Sequence, residues 1–323
     1  MRGMVLGKFL PPHAGHVHLC QAALRMCDEL TIVVGTLARE PIAGALRVAW
    51  MRELVPGARV VHLADELPQH PDEHPDFWAL WRASLRPLVG DVARVFASDA
   101  YGARLAAELG ATWIPIDPRR ETFAISGTLV RADPFAHWAL IPRCVRAYYT
   151  RRVSVFGPES TGKSTLTAAL AGAFETIYVP ELARAYLESR GGVLARGDMD
   201  VIGAGQAAIE DAAAGDANKL LFCDTDPLAT VVWSETLYGA ASPELRASAH
   251  ARRYDLTLLC DVDLPWERDL VRYLPDNRAG FFARCEAALR GAGRRTTIVR
   301  GTGVDRTRAA HAAVTALLQE GRP

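Results

Sequence analysis

The segment Gly157–Ser164, GPESTGKS, constrains the fold more than any other stretch of the chain. It satisfies GxxxxGK[ST], follows the apolar run VSVF at 153–156 and precedes a helical pattern from Lys163 to Phe174. A loop of this composition works by converging its backbone amides on an anion, which requires a strand that stops at a glycine and passes directly into a helix. The amides of Gly157, Glu159, Ser160, Thr161, Gly162 and Thr165 are then expected to cradle the phosphates of ATP. Lys163 would reach the β and γ phosphates, and the Ser164 hydroxyl would ligate Mg²⁺.

The surrounding sequence extends the same grammar. RRVSVFG (151–157), TIYVPE, LLFCDTD, DLTLLCDVD and TTIVRG are short β-branched runs separated by helical patterns. The N-terminal half repeats the alternation with MVLG, LTIVVGT, ARVVHL, VARVFAS and ATWIPI, with helices expected over about Gly15–Asp28 and around Leu46–Leu54. Strand and helix alternation of this kind predicts α/β architecture with doubly wound parallel sheets. A chain of 323 residues exceeds the roughly 250–300 at which a single core stops growing, so two domains are expected, 1–150 and 151–323. One continuous sheet with an internal loop near residue 150 is the alternative.

A P-loop does not choose between water, protein and a small molecule as phosphate acceptor, and the residues at neighbouring strand ends narrow the choice. Asp224 ends the apolar strand LLFCD, where a carboxylate can hold Mg²⁺ or its waters, and Asp226 follows two residues on. No NKxD motif follows, which argues against guanine recognition. Glu181, in YVPELAR, is expected to close the second strand, with Arg184 one helical step further. Glu181 and Asp224 are the pair expected to contact an acceptor hydroxyl and the metal, in either assignment, although a carboxylate at Glu181 would also suit the start of the next helix. The run WERDLVRYLPDNRAGFFAR brings Arg268, Arg272, Arg278 and Arg284 into one segment with the character of a phosphate-covering lid, or equally of a solvated helix face.

At the N-terminus, GKFLPPHAGH (7–16) is a second strand-to-helix turn with different chemistry. Gly7 lets the backbone leave the strand, Pro11 and Pro12 stiffen the turn, and Gly15 admits close approach at a helix start. His13 and His16, three apart, place two imidazoles on one side of that helix end. Such donors suit an ATP attacked at its α-phosphate, where charge builds in the transition state. A zinc site is not expected, because no third ligand stands at sensible spacing. ISGTLVR (125–131) supplies a matching clamp, with Ser126 and Thr128 able to cap a helix and Arg131 directed at the same anion.

Composition limits the partners. Lysine plus arginine (37) balances aspartate plus glutamate (37), so neither nucleic acid nor an anionic membrane is expected, and any anion must be gripped locally. The six cysteines are scattered without CxxC pairs and read as reduced core residues, which with the lack of an apolar leader or a span of about 20 apolar residues predicts a cytoplasmic protein. A homo-oligomer is compatible with all of this.

Gly7, Lys8, Phe9, Pro11, His13, Gly15 and His16 resemble the GxFxPxHxGH signature of the nucleotidyltransferase α/β phosphodiesterase superfamily, and Ile125–Arg131 resembles its ISxTxxR counterpart. With the P-loop beyond, the motif order resembles the NadR-type bifunctional family, in which nicotinamide mononucleotide adenylyltransferase is joined to ribosylnicotinamide kinase. Supporting stretches are DELPQHPDEHPDFWALW (65–81), PIDPRRETFAIS (115–126), VPELARAYL (179–187) and FCDTDPLAT (222–230). The resemblance implies a Rossmann-like nucleotidyltransferase domain followed by a P-loop kinase domain, with ATP, Mg²⁺, nicotinamide riboside, nicotinamide mononucleotide and NAD as ligands. It implies that Gly7, Lys8, Phe9, Gly15, Ser126 and Thr128 hold one ATP, with His13, His16 and Arg131 catalytic. Arg47, Trp50, Trp78 and Trp81 would hold the mononucleotide, a pyridinium over an indole face being a favourable contact, although any one of these tryptophans is equally at home in a core. In the second domain Lys163, Glu181 and Asp224 would be catalytic, Ser164 and Asp224 would hold metal, Arg268 and Arg272 would cover ATP, and Arg184, Asp226, Trp266 and Asp269 would hold the riboside.

Two departures stand out. The family often begins with a helix-turn-helix domain, whereas this sequence starts close to its first strand, so repressor activity is not expected. The lid pattern PWxxDGxR reads PWERDLVR, with Leu270 in place of glycine. The competing readings are an adenylyltransferase and kinase for another small substrate, such as pantetheine phosphate, and an adenylyltransferase whose kinase half has decayed into a nucleotide sensor.

Overall fold

The computed structural model describes residues 1–267, 273–274 and 276–320. The predicted lid positions Arg268, Asp269, Leu270 and Arg272 lie outside the described residues. The chain divides into two compact units, Met1–Val145 and Arg146–Pro323.

In the first unit the order is β1 (Arg2–Gly7), α1 (Ala14–Leu24), β2 (Glu29–Gly35), α2 (Gly44–Leu54), β3 (Arg59–Leu63), α3 (Phe77–Val89), β4 (Arg94–Ala97), α4 (Tyr101–Leu109), β5 (Thr112–Pro115), α5 (Gly127–Ala132) and α6 (Arg143–Tyr149). The division between units falls inside α6. Among the described residues the strands form one five-stranded sheet in the order β3-β2-β1-β4-β5, parallel throughout, with Val5 opposite Ile32 and Met4 opposite Val95. Alternation along β1 sends Val5 into the cluster with Ile32, Val48 and Met51, and Met4 into the cluster with Leu85, Val95 and Leu105. Both faces are covered, which is why these strands read as continuous apolar runs. Helix α1 ends at Leu24, short of the expected Asp28, because the chain must turn into β2 at Glu29.

The second unit runs β6 (Arg151–Phe156), α7 (Lys163–Ala173), β7 (Tyr178–Val179), α8 (Leu182–Ser189), α9 (Asp198–Ala213), β8 (Leu220–Asp224), α10 (Pro227–Tyr238), α11 (Pro243–Ala251), β9 (Leu256–Cys260), α12 (Arg278–Gly291), β10 (Thr296–Val299) and α13 (Gly303–Gln319). Its parallel five-stranded sheet has the order β10-β9-β6-β8-β7. Val153 and Val155 face one apolar cluster and Phe156 the other, so this sheet too is wound on both sides. Strand β7 is only two residues long, and Glu181 belongs to the start of α8 rather than to the strand.

In both sheets the motif-bearing strand, β1 or β6, lies in the middle, with strands reached by opposite crossovers on either side. That is the switch point where the carboxyl ends of an open parallel sheet leave a crevice. In the first unit the crevice is closed on one side by α5. The Arg131 guanidinium donates to the Leu10 carbonyl and, at 3.2 Å, to Thr128 Oγ1, while Ser126 Oγ accepts from the Leu129 N–H at 3.2 Å and caps the helix. Gly127 makes the approach possible, since a Cβ there would lie 2.4 Å from the Leu10 carbonyl oxygen. Gly127→Ala should therefore destabilise the first unit by about 1–3 kcal/mol, read as a lower urea midpoint for its unfolding transition. An unchanged midpoint would contradict the close docking of α5.

Candidate active sites

The first site is built on the turn after β1. Phe9 takes a left-handed backbone (φ 46°), and its ring folds back so that a Cβ on Gly7 would lie 3.0 Å away. The ring meets His16 edge-on at 5.0 Å, and His13 stacks on His16 at 3.7 Å between centroids. A Cβ on Gly15 would approach the His13 ring to 3.2 Å, so glycine leaves room for the stack. The Nδ1 atoms of both histidines are buried and make no hydrogen bond within the protein. Burial, with Arg120 as a second cause, lowers the His13 pKa to about 4; burial, then His13 and Arg120, holds His16 well below its ordinary value. Both rings are therefore neutral near pH 7 in the ligand-free protein, ready to hydrogen-bond a phosphate or to take up a proton when one arrives.

A cavity of about 740 Å³ opens over this turn. Gly7, Lys8, Phe9, His13, Gly15 and His16 line it from the turn, Ser126, Thr128 and Arg131 from α5, and Trp78 and Trp81 from α3. Trp81 is fixed by its indole N–H donating to the Pro68 carbonyl at 2.9 Å, and the Arg104 guanidinium lies 5.7 Å from the Trp78 ring centroid.

Arg47 and Trp50 do not reach the cavity. Helix α2 turns Arg47, Val48, Trp50 and Met51 inward, and Trp50 is buried there. Arg47 is completely buried and donates to the Lys8 carbonyl at 2.8 Å and to Glu40 at 2.6 Å, while Glu40 also pairs with the Lys8 ammonium at 3.1 Å. Burial would raise the Glu40 pKa, but hydrogen bonds from the Leu37 N–H, Arg47 and Lys8 outweigh it and keep the carboxyl ionised. Arg47 thus braces the turn from beneath rather than touching a substrate. Tyr101 and Asp99, which carry no motif in the sequence, also line the cavity, as does Arg120 of PIDPRRETFAIS. Tyr101 Oη donates to the Leu6 carbonyl at 2.7 Å at the end of β1, and Arg120 pairs with Asp99 at 3.2 Å.

The second site is the loop between β6 and α7. Gly157 (φ 136°) lies where a Cβ would be 2.8 Å from the Cys260 carbonyl oxygen of β9, and Gly162 (φ 73°) starts α7. Thr161 Oγ1 and the Lys163 ammonium both donate to the Pro158 carbonyl, at 2.7 and 2.9 Å. Arg306, buried on α13, donates to the Thr161 carbonyl at 2.7 Å and to Asp263 at 2.8 Å, holding the loop from behind.

Glu159, Ser160, Thr161, Gly162, Lys163, Ser164 and Thr165, with Glu181 and Arg184, line a cavity of about 1020 Å³. Glu181 stands at the N-cap position of α8 but makes no side-chain capping bond there. Burial raises its pKa against the pull of Lys163, and the nearby Asp224 adds to the rise. Asp224 is buried, with its Oδ1 lacking a hydrogen-bond partner and the Ser164 hydroxyl near enough to favour its charged form. Burial raises its pKa too, opposed by Lys163 and Ser164. A hard oxygen pair with one orphaned carboxylate oxygen fits Mg²⁺, which keeps several waters and takes further oxygens from phosphate. No cluster of three or more His, Cys, Asp or Glu that could hold a metal occurs among the described residues.

Asp226 and Trp266 do not line this cavity. Asp226 is completely buried as the N-cap of α10, accepting from the Leu228 N–H at 2.7 Å, with Pro227 at the first helical position. Trp266 stays outside the cavity lining, with the Arg278 guanidinium 6.0 Å from its ring centroid. Arg278 also donates to the Leu264 and Ser160 carbonyls, at 2.8 and 3.4 Å, whereas Arg284 is exposed on α12. The aromatic wall of the cavity comes instead from Trp233 of α10, packed on Phe281 at 4.2 Å, and from Tyr273.

The geometry agrees with what sequence comparison finds. A family model described as an AAA domain matches residues 152–306. The trifunctional NAD biosynthesis/regulator protein NadR of Escherichia coli strain K12 is 30% identical over 294 residues, covering 84% of this chain and 72% of the relative. The chain belongs to the NadR family. The NadR of Salmonella typhimurium strain LT2 matches to the same extent. A NadR crystal structure in complex with NR superposes with a TM-score of 0.82 at 22% identity, covering 100% of this chain and 97% of the other, and one in complex with NAD and AMP-PNP gives 0.79. The NadR fold therefore spans both units.

The neutral histidines give a prediction with a definite sign. Because the folded pKa of His13 is depressed, the unfolded chain binds more protons between about pH 4 and 6.5 and the first unit loses stability as pH falls through that window. NMR titration of His13 should give a midpoint near 4 in the free protein, moving up when ATP binds beside it. A free midpoint near 6.5 would contradict the burial described here.

Proposed function

We propose that this NadR-family chain makes NAD from nicotinamide riboside in two ATP-dependent steps: phosphorylation of the riboside in the second unit, and adenylylation of the resulting mononucleotide in the first. The observation that carries the reading is the presence of two separately built phosphate cradles, each with its own cavity and its own charged groups. The curated relatives are named as NAD biosynthesis proteins, and the similar structures hold NR, NAD and an ATP analogue.

In the second unit Glu181 faces the cavity while Asp224 is buried near Ser164, which supports Glu181 as the base for the riboside hydroxyl and Asp224 with Ser164 as the holders of Mg²⁺. A raised carboxyl pKa makes Glu181 a better proton acceptor at neutral pH. Bound Mg²⁺ would neutralise phosphate charge, and Lys163 would leave the Pro158 carbonyl to meet the transferred phosphoryl group. Arg184 borders the same cavity and would steady the acceptor.

In the first unit the nucleophile is already an anionic phosphate, so positioning and charge neutralisation suffice and no carboxylate base is needed. His13 and His16 would donate to the α-phosphate under attack, Arg131 and the N-terminal amides of α5 would hold the polyphosphate, and pyrophosphate leaves. Trp78 and Trp81 border the same cavity and offer the aromatic faces for a pyridinium ring. Removing one such donor typically costs about a hundred- to a thousandfold in rate.

The protein incubated with ATP, Mg²⁺ and nicotinamide riboside should yield mononucleotide and then NAD by chromatography. His16→Ala should stop NAD formation by at least about a hundredfold and spare riboside phosphorylation, while Lys163→Ala should stop riboside phosphorylation and spare NAD formation from added mononucleotide. NAD from added mononucleotide but not from riboside would favour the decayed-kinase reading. Loss of both activities in either folded variant would overturn the two-site assignment.

A further inference from the structure

The P-loop of the second unit carries a carboxylate, Glu159, in the place where the chain is to receive a triphosphate. Like charges at close range repel, so a free carboxylate there would weaken nucleotide binding unless its charge were taken up elsewhere. The structure shows where it goes. Glu159 accepts hydrogen bonds from the Tyr273 N–H, at 3.0 and 3.2 Å to its two oxygens, and from the Leu274 N–H at 3.2 Å.

Tyr273 lines the cavity beside the P-loop, and its hydroxyl donates to the Gly192 carbonyl at 2.5 Å, just past α8, the helix that Glu181 begins. The next loop residue repeats the pattern: Ser160, with a left-handed backbone (φ 53°), exchanges hydrogen bonds with the main chain of Glu267 at 3.2 Å. The loop between β6 and α7 thus also supports the cavity wall at Tyr273.

We propose that Glu159 is a positioning residue for the phosphate acceptor rather than a ligand of ATP: its carboxylate fixes the main chain at Tyr273 and Leu274 and so sets the acceptor-facing wall. The inference rests on the kinase reading of this cavity for the identity of the acceptor, but not for the existence of the latch. It has a functional corollary. Since the cradle and the wall share one loop, a phosphate chain that orders residues 157–164 also orders the wall, and acceptor affinity rises once nucleotide is bound.

Two measurements test it. The first, residue-resolved amide hydrogen exchange on the ligand-free protein, needs no acceptor: the Tyr273 and Leu274 amides should be protected in the wild type and exposed in Glu159→Ala. The second is steady-state kinetics with nicotinamide riboside and ATP. Glu159→Ala should raise the KM for riboside about tenfold or more with a far smaller change in the KM for ATP. Glu159→Gln, whose amide oxygen still accepts from an N–H, should recover part of the loss, and Glu159→Ala combined with Tyr273→Ala should cost less than the sum of the two.

Unchanged amide exchange in Glu159→Ala would overturn the latch. A KM effect confined to ATP, or additive costs in the double variant, would overturn the positioning role and place Glu159 directly on a ligand. Absence of riboside phosphorylation by the wild type would instead sink the kinase reading, with the exchange result still deciding the latch.

Discussion

Both halves of this protein depend on one constraint: the central parallel strand must leave its sheet through a glycine. Strand β1 ends at Gly7 and β6 passes into Gly157, and in each case the neighbouring chain comes too close for anything larger without rearrangement, the Phe9 ring in one and the Cys260 carbonyl in the other. Everything functional is arranged around those two exits.

The two cradles solve their charge problem in opposite ways. In the first, the histidines are held neutral by burial and the cations near them are already engaged, Lys8 with Glu40 and Arg131 with the Leu10 carbonyl. In the second, Lys163 and Arg184 act on Glu181 and Asp224, opposing the burial that raises both carboxyl pKa values. A phosphate acceptor with an ionisable hydroxyl needs such carboxylates; an acceptor that is already a phosphate does not.

The exits and the alternation were legible because glycine, proline and the strand period are local signals. Which side chains face the cavity was less so. Arg47 and Trp50 sit on the inward face of α2, a matter of helical register against a sheet whose position the sequence does not state. Asp226 stands directly before Pro227, which is the signature of a capped helix start, so its capping role was readable and its assignment to substrate was not. Trp233 and Arg306 belong to no motif; they enter the second site only because α10 and the start of α13 both reach its cavity. Asp99 enters the first in the same way.

The claim that two chemically different phosphoryl centres act in sequence is tested most directly by isotope. Nicotinamide riboside is supplied with ATP labelled at phosphorus, at the γ position in one reaction and at the α position in a second, and the NAD formed is isolated and cleaved between its two phosphates. The account predicts γ label only in the nicotinamide-side phosphate and α label only in the adenosine-side phosphate. NAD lacking the γ label, or carrying either label on both sides, would contradict it.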